Sequence, residues 1–123
     1  MNHILHTVYT AQYRYSGPDR VDITVKGQDI NWKEFAPTWD MVMGIKKGTM
    51  SEQQYVNLYA PSLNNTSIIG NVSVATWEKL LAMETATFVC FCKRDAFCHR
   101  NILVNYLKSV FGNRITYGGF RTS

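Results

Sequence analysis

A single α/β domain, with a mostly parallel, Rossmann-like sheet and helices on both faces, is the fold the sequence predicts. Three observations predict it. Thr85 to Cys92 is a short, largely apolar run of the kind found in strands buried on both sides. Ile102, Leu103, Tyr106, Leu107 and Val110 follow at a spacing that lines one face of a helix. Arg114 to Tyr117 then reads as a second strand, so the three pieces form a βαβ unit, which implies parallel pairing. The chain has 123 residues, enough for one core, and residues 1–123 are read as one domain.

The earlier elements follow from local signals. Ile4 to Tyr15 alternates as a strand, and Ser16-Gly17-Pro18-Asp19 ends it with turn residues. Val21 to Lys26 alternates again, with Asp22, Thr24 and Lys26 on one face. Thr38 caps a helix bearing Trp39, Met41, Val42 and Ile45, and Gly48 ends it. Ser51 and Gln54 form a capping box that opens a helix through about Tyr59, with Pro61 as its stop. Ser73 caps a helix carrying Val74, Trp77, Leu80 and Leu81. Gly112 suits the end of the last helix, and the tail Gly118-Gly119-Phe120-Arg121 is expected to be mobile unless a ligand or partner orders it.

Composition narrows the functional classes. At 46% hydrophobic and 18% charged residues the chain is globular rather than disordered. No apolar run approaches a membrane helix, and the first residues lack the pattern of a signal peptide. The three cysteines lie within Cys90–Cys98, too close together for a disulfide framework, so a reducing, cytoplasmic setting is expected. The net charge of +4 is concentrated: Lys93, Arg94, Arg100, Lys108, Arg114 and Arg121 face one acid, Asp95, in the last quarter of the chain.

Chemistry is expected in the strand-to-helix turn Cys92–Arg100, because ligands of open α/β sheets bind beyond the carboxyl ends of strands. Asp95 is the expected N-cap of the helix, whose free amides and dipole favour an anion. Lys93, Arg94, His99 and Arg100 add donors around it. From the early strands, Tyr13, Arg14, Asp22 and Lys26 are expected to converge on the same place, with Tyr13 or Tyr15 stacking a base. A cysteine at such a turn is also a candidate nucleophile: Cys98 first and Cys92 next, with His99 as acid or base. After Cys92, five intervening residues lead to Cys98 rather than to Arg, which excludes the Cys-x5-Arg phosphatase loop. No cofactor is predicted. If a metal binds, zinc held by Cys90, Cys92, Cys98 and His99 is the expectation, although Cys98 and His99 on one helix would point about 100° apart.

The stretch Cys90-Phe91-Cys92-Lys93, then Cys98-His99-Arg100 with Ile102-Leu103, resembles the family catalogued as domain of unknown function 488. Asp22-Ile23-Thr24-Val25-Lys26, Phe35-Ala36-Pro37 and Met50 to Tyr55 fit one branch of it, so the resemblance runs from roughly Tyr9 to Tyr117. It implies a cytosolic α/β domain of bacteria, archaea or viruses, and the small size would suit a phage or mobile element. The sequence departs from the broader pattern at Cys92, where other members often have an acid, and at Asp22-Ile23-Thr24, where many have Asp-Val-Arg. The leading expectation is a protein that binds, and processes, a nucleotide or nucleic-acid phosphate at Cys92–Arg100. The alternatives are a non-catalytic nucleotide-sequestering or protein-interaction module, such as a viral accessory protein, and a small metal-stabilised domain. The residues fit both an enzyme and a binder.

Overall fold

The first strand, β1 (Thr7–Gln12), lies inside a four-stranded sheet of order β2-β3-β1-β4, in which every pairing is parallel. The computed structural model describes residues 5–27, 30–63, 72–91 and 97–121. The other strands are β2 (Arg20–Asp22), β3 (Thr85–Cys90) and β4 (Thr116–Arg121). Thr7 to Gln12 pair in register with Thr85 to Cys90, which makes β1 and β3 the centre of the sheet. The expected apolar strand is therefore present, and five of its six residues are buried.

Among the described residues, four α-helices pack against the sheet. The first, α1 (Trp39–Lys47), starts where Thr38 Oγ1 accepts the Met41 amide and ends at Gly48, whose φ of +76° favours glycine. Next, α2 (Glu52–Ser62) opens on the full Ser51–Gln54 capping box. Pro61, expected to stop this helix, stands in its last turn. It supplies no amide to the carbonyl four residues back, and the helix ends one residue later. Ser73 caps α3 (Val74–Leu81). The last helix, α4 (His99–Phe111), buries Ile102, Leu103 and Leu107 as expected, whereas Val110 is 56% exposed.

The parallel α/β sheet is as expected, but the described helices do not cover both of its faces. From β2 to β3 and from β3 to β4 the chain moves one way across the sheet; from β1 to β2 it moves the other way. Parallel crossovers are right-handed, so the first two connections share a face and the third takes the opposite one. The first two carry all four α-helices, whose buried side chains form one cluster with Val8, Val21, Ala86 and Phe88. The third is only Tyr13–Asp19, too short for a helix. It lays Tyr13 and Tyr15 against Ala11 and Val89. Arg20 fixes it by donating to the Tyr13 and Tyr15 carbonyls at 2.8 and 2.7 Å.

Two further expectations change. The second strand stops at Asp22 rather than reaching Lys26. Asp22 Oδ1 accepts both the Thr24 amide (3.0 Å) and the Thr24 hydroxyl (2.6 Å), a local turn that competes with strand pairing. The tail expected to be mobile is β4, which pairs with β1 across a bulge between Val8 and Thr10. Its last described residue, Arg121, donates to the Tyr15 hydroxyl at 2.7 Å, lies 3.8 Å from Asp19 and stacks 3.7 Å from the Tyr9 ring centre. Among the described residues, no helix is long and apolar enough to cross a membrane.

Candidate functional site

Three buried side chains meet where β2 and β3 end and α4 begins. Cys90 is the last residue of β3. Cys98 is the N-cap of α4 in an extended conformation (φ −155°, ψ 147°), and its side chain makes no capping bond. It takes the place expected for Asp95, which lies outside the described residues, as do Cys92, Lys93 and Arg94. Because Cys98 precedes the helix, the 100° divergence expected of two helical neighbours does not arise. Its sulfur lies 3.7 Å from His99 Nδ1, and the Cys90 sulfur lies 4.0 Å from the same atom.

The other ring nitrogen fixes how His99 works. Nε2 lies 2.6 Å from the Ile23 carbonyl oxygen, which only accepts, so Nε2 carries the hydrogen. In the neutral ring, Nδ1 then presents its lone pair to the two sulfurs. It can take a thiol proton or ligate a metal ion. The three ligand atoms of Cys90, Cys98 and His99 lie within 4.8 Å of one another, close enough to hold one metal ion. The Tyr59 ring meets His99 edge-on, with centroids 5.4 Å apart. Burial pushes the Tyr59 phenol well above its ordinary pKa, with smaller contributions from Tyr55, Cys98 and Cys90. It therefore stays protonated and donates to the Phe35 carbonyl at 2.5 Å.

A cleft of about 210 Å³ opens over this cluster, with Cys90, Cys98 and His99 among its lining residues. Its walls are mainly apolar: Trp39, Val42 and Ile45 from α1, Phe91 after β3, and Phe97 before α4. Lys26 and Lys46 supply cationic groups, with the Lys26 ammonium 4.7 Å from the Trp39 ring centre.

Other candidates from the sequence are dispersed around this cleft. Tyr13 stacks on Phe91 at 4.1 Å and donates to Asp22 Oδ2 at 3.1 Å. Asp22 is buried beneath, facing Thr24 and, at 3.9 Å, Arg20 rather than Lys26. Arg14 is exposed and is not part of the cleft lining. Arg100, 1% exposed, donates to the Ala11 carbonyl at 2.6 Å, at the end of β1. Tyr15 is buried on the sheet face away from the helices, where its hydroxyl serves Asp19. Sequence reasoning missed Trp39 and Lys46 as site residues. Their signal was the spacing of Trp39, Val42 and Lys46, three and four residues apart along one side of α1.

Fold and site together define a parallel α/β domain with a thiol–imidazole cluster at a strand-to-helix turn. A family model, DUF488-N3a, described as the active DUF488-N3 subclade, matches residues 6–110. The chain belongs to this family, and the match runs from before β1 nearly to the end of α4. No curated protein and no solved structure matches the chain.

Proposed function

We propose that the chain binds, and processes, a nucleotide or nucleic-acid phosphate in the cleft above Cys90, Cys98 and His99. One observation carries the reading: the Ile23 carbonyl orients His99 so that Nδ1 faces Cys98 Sγ at the cleft lining. A nucleophile, a base and a group that orients the base are the parts needed for covalent catalysis. The mainly apolar aromatic walls suit a base, and Lys26 and Lys46 suit its phosphate. In the reaction Cys98 Sγ attacks the phosphorus of a phosphate ester or anhydride while His99 Nδ1 takes the thiol proton. An S–P bond forms, the P–O bond to the leaving group breaks, and His99 returns the proton to the leaving oxygen. Water then cleaves the S–P bond and restores the thiol. Cys92, Lys93 and Arg94, which the sequence assigns to the same site, lie outside the described residues. The two thiols, Cys90 and Cys98, fit a reducing compartment, and we place the protein in the cytoplasm.

The test is a thermal-shift screen of nucleoside mono-, di- and triphosphates and short DNA and RNA. A ligand at a hundredfold excess over its Kd adds about 2.7 kcal/mol. Stabilisation by at least one compound, reduced in the Lys26→Ala/Lys46→Ala double variant, is the expected result. No stabilisation across the panel, or stabilisation unaffected by the double variant, overturns the reading.

A second reading has its own observation. A tetrahedral zinc ion with usual bond lengths separates sulfur and nitrogen ligands by roughly 3.6 Å. The Cys–His distances here are 3.7 and 4.0 Å, and the non-ligating nitrogen of His99 is held by a carbonyl, as in many zinc sites. Cys90, Cys98 and His99 would hold the ion. Elemental analysis of purified protein decides: about one equivalent of zinc supports this reading, and trace metal removes it.

A further inference from the structure

We propose that Cys90 and Cys98 form a reversible disulfide, a redox modification that consumes the two described thiols lining the cleft. The inference goes beyond the nucleotide reading and does not depend on it. Three observations combine. The two sulfurs lie within 4.8 Å of each other, with His99 Nδ1 beside both. Both residues line a cleft that a small oxidant can enter, although each is largely buried. Cys98 occupies an N-cap position without making a capping bond, so turning its sulfur toward Cys90 sacrifices no helix-end hydrogen bond.

The oxidant is a hydroperoxide. His99 Nδ1 takes the Cys98 proton, and the sulfur attacks one peroxide oxygen. An S–O bond forms and the O–O bond breaks. For hydrogen peroxide, the departing oxygen leaves as water, and Cys98 becomes a sulfenic acid. The Cys90 sulfur then attacks the Cys98 sulfur. The S–S bond forms, the S–O bond breaks, and a second water leaves. Two thiols have supplied the two electrons that reduce one hydrogen peroxide to two waters. A dithiol reductant returns two electrons and restores both thiols by exchange. In the oxidised form Cys98 has no thiol to react, and the end of β3 is tied to the start of α4.

Mass spectrometry tests the proposal without any activity assay. Reduced protein is treated with hydrogen peroxide, alkylated and digested. The expected product contains a Cys90–Cys98 cross-link, and dithiothreitol reverses it. The Cys92→Ser variant is expected to form the same cross-link, leaving no alkylatable cysteine. In the Cys90→Ser variant, Cys98 is expected to accumulate as a sulfenic acid that dimedone captures. A cross-link through Cys92 in the native chain overturns the proposal, as does sulfinic acid at Cys98 without cross-link. The outcome is independent of nucleotide stabilisation, so the two readings fail separately.

Discussion

His99 Nε2 donates to the backbone carbonyl of Ile23 across 2.6 Å, joining the start of α4 to the chain just beyond β2. This bond decides which ring nitrogen faces the cysteines, and it satisfies a carbonyl in a buried place. Replacing His99 with Leu removes both effects. The variant is expected to lose about 1–3 kcal/mol of stability in urea unfolding, the cost of an orphaned buried acceptor. Alkylation of Cys98 at neutral pH should also slow, because the group that takes its proton is gone. Unchanged stability and unchanged alkylation would show that the bond has no role.

Asp22 organises the other side of the site. Its carboxylate accepts from the Thr24 amide, the Thr24 hydroxyl and the Tyr13 hydroxyl, and the residue is 1% exposed. Asp22→Ala leaves these donors unsatisfied and is expected to destabilise the fold by about 2–4 kcal/mol. Asp22→Asn keeps an acceptor and should cost less. Urea midpoints for the two variants check the order.

Gly27 closes the same turn. Its amide donates to Thr24 Oγ1 at 2.8 Å, and its carbonyl accepts from Lys33 Nζ. A methyl group at Gly27 would lie 2.0 Å from Asp22 Oδ2 and 2.4 Å from Thr24 Oγ1. Both belong to the hydrogen-bonded network, so the clash is not relieved cheaply. Gly27→Ala is expected to cost about 1–3 kcal/mol, measured as a lower urea midpoint.

How legible these features were in the sequence depends on the range of the interaction behind them. Thr38 with Gly48, Ser51 with Gln54, and Ser73 marked three helices because a cap is settled within a few residues. The apolar run of β3 was equally readable. The extent of β2 was not, because alternation from Val21 to Lys26 resembles a strand until the Asp22–Thr24 turn is recognised as its competitor. The identity of the α4 cap was missed for a related reason: Asp95 has the better capping side chain, yet the chain enters the helix at Cys98 without one. The tail was misread because Gly118 and Gly119 suggest freedom, while Tyr9, Tyr15 and Asp19, about a hundred residues earlier, hold Arg121 in place. Within the site, the proximity of Cys98 and His99 was visible. Cys90 reaching the same nitrogen required the fold.

Asp19 predicts a pH dependence. Burial alone would raise its pKa, but hydrogen bonds from Thr85 and Tyr15, the Arg121 charge and Thr87 outweigh it and bring the carboxyl below its ordinary value. A carboxylate with a depressed folded-state pKa adds stability above its unfolded pKa, about 3.9. That contribution is lost as the pH falls through the folded-state value. Stability should therefore decline below about pH 4. Asp19→Asn should show a lower midpoint at pH 6 and a shallower acid decline. Equal decline in both proteins would assign the effect elsewhere.

The order of strands carries a consequence for how the chain folds. Thr7 of β1 finds its partners in Thr85 and Thr116, and β2 pairs with β3 rather than with β1. Among the described residues the sheet contains no hairpin, and its one pairing of consecutive strands, β2 with β3, joins segments separated by all of α1, α2 and α3. Its centre assembles only when distant parts of the chain meet, after the cost in loop entropy has been met. Helices α1 to α3, each with its own cap, can form earlier and shorten that search. Until β3 arrives, the first strand has an open edge on both sides, so refolding should be slow for this size and sensitive to protein concentration.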